Sequence, residues 1–278
     1  MNITFIRDTG VTKWILRKWI REFSTRILKQ DNFLRLPTGL MIRLPKENLF
    51  SSDAFVTNSD VDWGAEKLLA RNLEHDGIFL DIGAHIGYYS LYMLPLVRAI
   101  YAFEPDPRAR AWLTSNLSPY PNAFVVPVAV GERSGRASYV LSRNPDTSHL
   151  SSNCTSEENV VEVDVVTVDE FVTRHNLRVT AIKIDVEGFD IAVVAGARQT
   201  LRSQAPLVLT EAKPEEKLFE LISDLDYRVF AFTRDFKTRR VAFEELHPNS
   251  AAHTKMLFLV PARLRSEFAQ RVALPIPQ

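Results

Sequence analysis

The stretch Ile78-Phe-Leu-Asp-Ile-Gly-Ala-His-Ile-Gly87 decides the fold class that we predict for this chain. A short apolar run leads into two closely spaced glycines, and Tyr88-Tyr-Ser-Leu-Tyr-Met-Leu94 continues as a predicted helix. In an open parallel sheet, ligands bind outside the carboxyl ends of the strands, and the first turn from strand to helix is a usual place. Gly83 and Gly87 allow tight turning and a close approach of the backbone there. The stretch therefore predicts a ligand site at this turn.

An acidic residue in this turn narrows the kind of ligand. Pyrophosphate sites favour glycines and bare N–H groups at a helix N-terminus, and a carboxylate would repel the dianion. Asp81 suits a cationic or amine-bearing ligand instead. An NAD-linked oxidoreductase is a second hypothesis, but it predicts a Gly-x-Gly-x-x-Gly turn. This turn opens with Asp81 and has His85 at its middle position.

Further apolar runs along the chain predict a parallel α/β sheet. Five runs alternate with helical patterns and have the composition of strands buried on both faces. They begin at Ile78, Ala99, Ala123, Ala181 and Leu207. Two later runs, starting at Arg228 and Lys255, complete seven strands, and the short interval between them favours an antiparallel final strand.

The intervals between these runs contain helix starts and one long predicted loop. Asp106-Pro107 supplies an N-cap and a favourable first helical position, and Thr167 to Glu170 fits a capping box. Residues 142–159 are rich in Ser, Thr, Asn and charged residues. We interpret them as a long loop, either a functional lid or a disordered segment.

Acidic residues follow three of the predicted strands. Glu104 lies about 20 residues beyond the first motif, where a carboxylate can accept two hydrogen bonds from a ribose diol. Asp185, Glu187 and Glu211 follow two later strands, and Lys183 is expected to neutralise a neighbouring acid. Because charges are rarely buried without partners, we expect these acids to face one crevice at the carboxyl edge of the sheet. The alternative is that they only cap helices or form salt bridges at strand ends.

Six motifs stand in a fixed order along the chain: Asp81-Ile-Gly-Ala-His-Ile-Gly-Tyr-Tyr-Ser90, Phe103-Glu-Pro105, Val128-Ala-Val-Gly131, Thr167-Val-Asp-Glu-Phe171, Ile182-Lys-Ile-Asp-Val-Glu-Gly-Phe189 and Val194-Ala-Gly-Ala197. In this order they resemble the FkbM-type methyltransferases, over roughly residues 60–262. The resemblance implies a Rossmann-like class I methyltransferase fold, which here would be a mostly parallel seven-stranded sheet with helices on both faces. It also implies S-adenosyl-L-methionine as cofactor and methylation of a hydroxyl on a sugar, natural product or other small molecule.

The resemblance assigns the cofactor to two turns. The first would line the amino-acid end of the cofactor and the second would hold its ribose. The candidate cofactor-binding residues are Asp81, Gly83, Ala84, Gly87, Glu104 and Pro105. His85 stands where Asn often occurs in the family.

Catalysis needs a further group, because a neutral hydroxyl is a poor nucleophile and a base should assist it. Asp185, Glu187 and Glu211 are the catalytic candidates, and His149 in the long loop is another possible base. The three acids could instead hold a divalent ion through hard oxygen ligands. We assign no metal ligand.

The amino-acid composition limits the classes of protein to which this chain can belong. The chain has 278 residues, with 34 Lys and Arg against 34 Asp and Glu, so its formal net charge is zero. Because nucleic-acid binders usually show a basic excess, we expect no nucleic-acid partner. Cys154 is the only cysteine, which excludes an intramolecular disulfide. The sequence has neither a secretory signal nor an apolar run long enough to span a bilayer, and we expect a cytoplasmic protein.

Residues 1–60 predict an N-terminal extension made of a basic amphipathic helix and a small extended hairpin over residues 33–50, and residues 61–278 the Rossmann-like domain. Residues 1–36 contain eight basic and three acidic residues, and apolar residues recur at helical spacing from Leu16 to Ile27. One interpretation is an amphipathic helix packed on the domain with its polar face in solvent. The other is a membrane or partner contact through residues 11–30. A protein that keeps the fold, has lost activity and docks through this helix is the alternative to an enzyme.

Overall fold

The structure is a computed structural model that describes residues 9–142, 145–151, 159–235 and 241–273. The helices are α1 (Val11–Glu22), α2 (Leu49–Thr57), α3 (Ala65–Arg71), α4 (Tyr88–Met93), α5 (Pro107–Leu117), α6 (Val168–Arg174), α7 (Asp190–Ala195), α8 (Arg198–Gln204), α9 (Glu216–Ile222) and α10 (Arg265–Ala273). The strands are β1 (Asn32–Arg35), β2 (Met41–Leu44), β3 (Ile78–Ile82), β4 (Ala99–Phe103), β5 (Ala123–Val126), β6 (Ala129–Val130), β7 (Gly135–Val140), β8 (His149–Ser151), β9 (Val160–Val166), β10 (Val179–Ile184), β11 (Leu207–Thr210), β12 (Tyr227–Arg234), β13 (Val241–Glu245) and β14 (Leu257–Pro261).

The main sheet has the strand order β13-β12-β14-β11-β10-β3-β4-β5. Strands β11, β10, β3, β4 and β5 are parallel, whereas β14 runs antiparallel to both β11 and β12. The strand order reverses between β3 and β10, because the chain builds outward to β5 and then adds β10 on the other side of β3. Such a switch point is where α/β sheets bind ligands. The predicted Rossmann-like α/β fold and the antiparallel final strand are confirmed.

The main sheet has eight strands rather than the predicted seven, because β13 adds an edge strand beside β12. Its sequence, Val-Ala-Phe-Glu-Glu, is short, ends in two acids and is half-exposed. A search for continuous apolar runs finds strands that are buried on both faces and misses a partly solvated edge strand of this kind.

A second sheet has the order β6-β9-β7-β8 and stands beside the carboxyl ends of the main strands. Part of the predicted loop 142–159 belongs to it: Pro145–Thr147 forms a short 3₁₀ turn, and β8 pairs with β7, with His149 opposite Val140. The loop prediction is wrong for this part, since pairing with β7 satisfies backbone groups that a loop would leave to water. Residues 152–158 lie outside the described residues.

Helices cover both faces of the main sheet, as predicted. Apolar residues of α3, α4, α5 and α10 form one core with the sheet, and those of α6 to α9 form the other. The predicted hairpin is present as β1 and β2, and its inward side chains join the first core. These are Leu34, Leu36, Ile42 and Leu44. The extension therefore shares a hydrophobic core with the domain.

The N-terminal helix is present, but its orientation is the reverse of the first interpretation. Helix α1 continues as a π-helical turn over Phe23–Ile27 and packs on α2. Arg21 faces the domain with 3% of its surface exposed, whereas Trp19 faces solvent with 62% exposed. The hydrogen bonds made by the basic side stabilise this orientation of the helix more than burial of the apolar side would stabilise the reverse one. Among the residues described, no helix has both the length and the apolar character needed to cross a bilayer.

Candidate active site

A cleft of about 270 Å³ lies at the switch point, where the turns after β3, β4, β10 and β11 meet. Seven of the nine predicted site residues line it. They are Gly83, Ala84, Glu104, Pro105, Asp185, Glu187 and Glu211. The remaining two, Asp81 and Gly87, lie behind the cleft wall and support it.

Glu104 is held in a fixed position by the backbone. The N–H of His85 donates to its Oε2 atom at 2.9 Å, and the N–H of Asp106 donates to its Oε1 atom at 2.8 Å. Burial raises the pKa of the Glu104 carboxyl, and His85 and these donors offset part of that effect. Because a carboxylate has about four acceptor positions, two remain for hydroxyl donors in the cleft.

The side chain of His85 lines the cleft and contacts the N-terminal extension. Its Nε2 atom lies 3.1 Å from Nδ2 of Asn48, and its ring meets the edge of Phe50. Its φ of 52° is left-handed, an unusual conformation for a residue other than glycine. The backbone N–H of this residue therefore anchors Glu104, while its ring joins the turn to the N-terminal extension.

Lys183 joins the acids of two turns. Its Nζ atom donates to the carbonyl oxygen of Gly83 at 2.7 Å and lies 3.2 Å from Oδ2 of Asp185 and 3.7 Å from Oδ1 of Asp81. Burial alone would lower the pKa of Lys183, but Asp185 and Asp81 outweigh it and raise the pKa. The ammonium therefore stays charged, as expected for a lysine that neutralises neighbouring acids.

Asp81 lies behind the cleft and does not line it. It is fully buried, and its Oδ2 atom accepts a hydrogen bond of 2.6 Å from the Ser90 hydroxyl. Burial raises the pKa of Asp81, and Lys183 opposes that shift. Its carboxylate therefore supports Lys183 and the start of α4. Asp81 was predicted to bind the cofactor from its place at the strand end; in the structure its carboxylate is buried beside Ser90 and Lys183 and does not line the cleft.

The two glycines of the first turn have different roles. At Gly83, φ is +75°, and a Cβ atom would lie 1.8 Å from the carbonyl oxygen of Asp185. The turns after β3 and β10 can approach this closely only without a side chain. At Gly87, a Cβ atom would lie 2.9 Å from Cδ1 of Leu113 in α5. Gly87 therefore allows helix packing and does not line the cleft.

Three carboxylates meet at the mouth of the cleft. Asp185, Glu187 and Glu211 each offer an oxygen, and the three oxygens lie within 4.8 Å of one another. Removal from water raises the pKa of Glu211 to about 10, with the charge of Asp185 as the next cause. Burial alone would raise the pKa of Asp185, but Lys183 and a hydrogen bond from Glu211 lower it. At neutral pH, Asp185 is ionised and Glu211 holds a proton.

The opposite wall contains residues that the sequence reasoning missed. The Tyr89 hydroxyl donates to Oδ2 of Asp62 at 2.7 Å, and Nζ of Lys255 lies 3.7 Å from Oδ1 of the same residue. Glu66 fixes the Asp62 loop by accepting the N–H groups of Val61 and Asp62, and burial raises the pKa of Glu66 to about 8. The available signal was the three tyrosine hydroxyls and one serine hydroxyl in a buried six-residue helix.

We predicted His149 as a possible base, but its side chain does not contribute to the cleft. Its neighbours Ser148 and Leu150 line the cleft, whereas Nδ1 of His149 lies 3.1 Å from the carbonyl oxygen of Thr147. The alternation of side chains along β8 puts His149 on the other side of the strand from Leu150. It is therefore no candidate for the base.

A Rossmann-like sheet with an acid-lined cleft at its switch point is typical of the class of α/β domains that bind nucleotide-type ligands. Comparison with known families makes the class specific. The family described as the methyltransferase FkbM domain matches residues 81–240, more than half of the chain. The chain belongs to this methyltransferase family, and the resemblance seen in the sequence is confirmed.

Two curated relatives are similar to this chain. Hexuronic acid methyltransferase AglP of Haloferax volcanii is 24% identical over 177 residues, which cover 58% of this chain and 73% of that protein. The 2-O-methyltransferase NoeI of Sinorhizobium fredii is 28% identical over 160 residues, which cover 51% of this chain and 65% of that protein. Among solved structures, methyltransferase FkbM from Methylobacillus flagellatus aligns with a TM-score of 0.45 and 18% identity, over 66% of this chain and 43% of that one.

Proposed function

We propose that this protein transfers a methyl group from S-adenosyl-L-methionine to a hydroxyl oxygen of a sugar or a related small molecule. One observation carries the proposal: the backbone-anchored carboxylate of Glu104 and the adjoining acids Asp185 and Glu211 line the same cleft. Family membership supports methyl transfer. The names of the two relatives, one acting on hexuronic acid and one a 2-O-methyltransferase, support a sugar hydroxyl as acceptor.

The residues of the cleft fit an adenosyl cofactor. Glu104 would accept hydrogen bonds from the two ribose hydroxyls, because each of its oxygens already has one backbone donor and an acceptor position left. Apolar side chains beyond Glu104 would pack against the adenine ring. They are Val128, Val130, Tyr139 and Leu150. The bound cofactor supplies a methyl group on a positively charged sulfur.

Asp185 and Glu211 would handle the acceptor. Alignment of the acceptor oxygen with the methyl carbon accounts for much of the rate in such a reaction. Asp185, ionised by its contact with Lys183, would accept the hydrogen bond of the acceptor hydroxyl and then its proton. Glu211, protonated at neutral pH, would donate its hydrogen bond to Asp185 and hold that carboxylate in position for the acceptor. Glu187 completes the same rim.

Calorimetric titration with S-adenosylhomocysteine tests the cofactor site. We expect Glu104→Ala to weaken binding by about 10- to 100-fold, because it removes hydrogen bonds to a charged acceptor. Glu104→Gln should fall between that variant and the native chain. Glu132→Ala, which removes an exposed acid, is the matched control and should bind normally. No heat and no thermal stabilisation of the native chain at saturating ligand would refute the cofactor assignment.

Transfer of a labelled methyl group to hexoses and hexuronic acids tests the reaction. We expect Asp185→Asn to lower kcat by about 100-fold, because it removes the base, while S-adenosylhomocysteine affinity changes far less. Equal losses in kcat and affinity would show that Asp185 holds the cofactor instead. A cytoplasmic location, the lack of a nucleic-acid partner and the boundary at residue 60 stay predictions.

A further inference from the structure

Helix α1 and the turn after it present a continuous apolar surface to solvent. Its residues recur at intervals of three and four, so they lie on one side of the helix. We call this surface the outer face; it consists of Ile15, Leu16, Trp19, Ile20, Phe23 and Ile27, each at least 38% exposed. Trp19 and Phe23 stack on each other with ring centroids 5.4 Å apart. A soluble domain normally turns such a face inward, so its exposure calls for a partner.

Two arginines on the opposite side of α1 fix this orientation. Arg21 donates to Oδ1 of Asn32 at 2.8 Å and to the carbonyl oxygen of Pro45 at 2.6 Å. Arg17 donates to the carbonyl oxygen of Phe55 at 2.6 Å. Burial lowers the pKa of Arg21 to about 10, which leaves it charged at neutral pH. Rotating the apolar side inward would break these bonds and leave buried carbonyl groups unsatisfied.

The exposed charges around the outer face are basic. Lys13 and Lys29 are exposed and form no ion pair within the described residues, and the one acid of α1, Glu22, is bridged to Arg26 at 2.8 Å. An apolar stripe bordered by cations, with tryptophan and phenylalanine in the stripe, is the composition of helices that lie in the interface of anionic bilayers. Spanning a bilayer takes about 20 residues. Helix α1, with 12 residues, is too short to do so.

A second copy of the chain is a poorer match for this face. At 1.5 Å per residue and a width of about 10 Å, residues 11–27 offer roughly 250 Å². A helix pair would then bury on the order of 500 Å² in total, well below the roughly 1,200 Å² of a stable interface. Pairing would also bring the lysines of both copies together, whereas anionic headgroups would neutralise them.

We propose that the outer face of α1 binds the surface of an anionic lipid bilayer. The helix lies in the plane of the interface, with Trp19 and Phe23 at the boundary between headgroups and acyl chains. Its lysines contact the headgroups, and Arg17 and Arg21 keep it attached to the domain. Methyl transfer has no part in this docking, so the proposal stands apart from the activity.

Vesicle flotation of the full-length protein tests the docking. We expect the chain to float with phosphatidylcholine vesicles that contain phosphatidylglycerol, and to float much less with phosphatidylcholine alone. Because a charge replaces an aromatic ring at the interface, Trp19→Glu should lower the partition coefficient by about tenfold or more. Trp19→Leu should keep most of the binding. Salt at about 0.5 M should weaken it by screening the lysines.

Val241→Glu is the matched control. Val241 is an equally exposed apolar residue, but it lies on the edge strand β13, and its variant should float like the native chain. Unchanged thermal midpoints would show that both variants are folded. The proposal is overturned if the native chain does not float, if Trp19→Glu floats equally, or if neutral and anionic vesicles bind equally. A dimer that Trp19→Glu dissociates, in a chain that ignores vesicles, would assign the face to a second copy and also overturn it.

Discussion

The Nζ atom of Lys183 lies 3.2 Å from Oδ2 of Asp185, and the lysine side chain is 4% exposed. The same ammonium lies 3.7 Å from Oδ1 of the fully buried Asp81. One buried cation thus serves a carboxylate behind the cleft and a carboxylate within it. The stability of the strand ends and the ionisation of Asp185, the proposed base, therefore depend on the same lysine.

Removing that cation should destabilise the fold. Lys183→Met leaves two carboxylates without their partner, and breaking a buried pair in this way costs about 3–5 kcal/mol. The double variant Lys183→Met/Asp81→Asn should recover part of the loss, because it removes one unpaired charge and keeps the acceptor for Ser90. Urea unfolding of the three proteins measures the effect. Equal stability of the single variant and the native chain would show that the pair is energetically neutral.

Stability should depend on the titration of Glu211 at high pH. Its pKa is raised to about 10 in the folded chain, so the stability that its proton contributes is fully present below about pH 4.5 and is lost as pH rises through about 10. Glu211→Gln removes this titration while keeping the shape. The Glu211 side chain reaches the mouth of the cleft, where solvent screens its charge. We therefore expect Glu211→Gln to raise the free energy of unfolding by only about 1 kcal/mol at pH 9.

The measurement is the free energy of unfolding of both proteins between pH 4 and pH 9. The difference between them should be near zero at the acidic end and grow with pH, since the native chain alone has a proton to lose. A difference that is constant with pH, or that grows towards acid, would contradict the raised pKa.

The fold could be predicted because buried parallel strands and their helices carry strong sequence signals. The apolar runs at β3, β4, β10 and β11 are continuous, and the caps at Asp106 and Thr167 accept hydrogen bonds as expected. Edge strand β13 could not be found in this way, because only part of it is buried. The orientation of α1 could not be predicted either. Hydrophobic periodicity identifies a helix, but it does not tell which side of the helix packs on the domain.

The site was predictable where a strand end fixes the residue and less so where another element supplies it. Glu104, Asp185 and Glu211 follow strands and reach the cleft. Asp62 and Lys255 come from segments far apart in sequence that meet only in the folded chain, joined by a separation of 3.7 Å. The placement of Asp81 could not be predicted, because a position at a strand end does not tell to which side the carboxylate points.

Gly83→Ala should be costly for reasons of shape alone. A methyl group would lie 1.8 Å from the carbonyl oxygen of Asp185, at a φ of +75° that alanine rarely adopts. We expect a loss of about 3 kcal/mol or more, and a weaker cofactor site because the two turns must separate. Gly39→Ala is the control: its φ is +102°, yet nothing lies within 4 Å of the added atom.

Thermal unfolding and titration with S-adenosylhomocysteine compare the two glycine variants. The control carries only the backbone strain, about 1 kcal/mol, and should bind normally. If both variants lose the same stability, the close approach of the turns after β3 and β10 contributes nothing beyond backbone strain.

Methyl transfer should continue when divalent metal ions are removed. Asp185, Glu187 and Glu211 have the oxygen spacing of a possible metal site, and three carboxylates around one point repel one another unless a cation or a proton relieves them. Lys183 supplies a positive charge at Asp185 and Glu211 retains its proton, which relieves the repulsion between these two acids without an ion. Glu187 is exposed, so water screens its charge. We therefore expect the rate to change by less than about twofold after dialysis against a chelator. Loss of activity on dialysis, with recovery on adding Mg²⁺ or Mn²⁺ and loss of that recovery in Glu211→Gln, would instead make the three acids metal ligands, and the role of Asp185 as the base would then have to be given up.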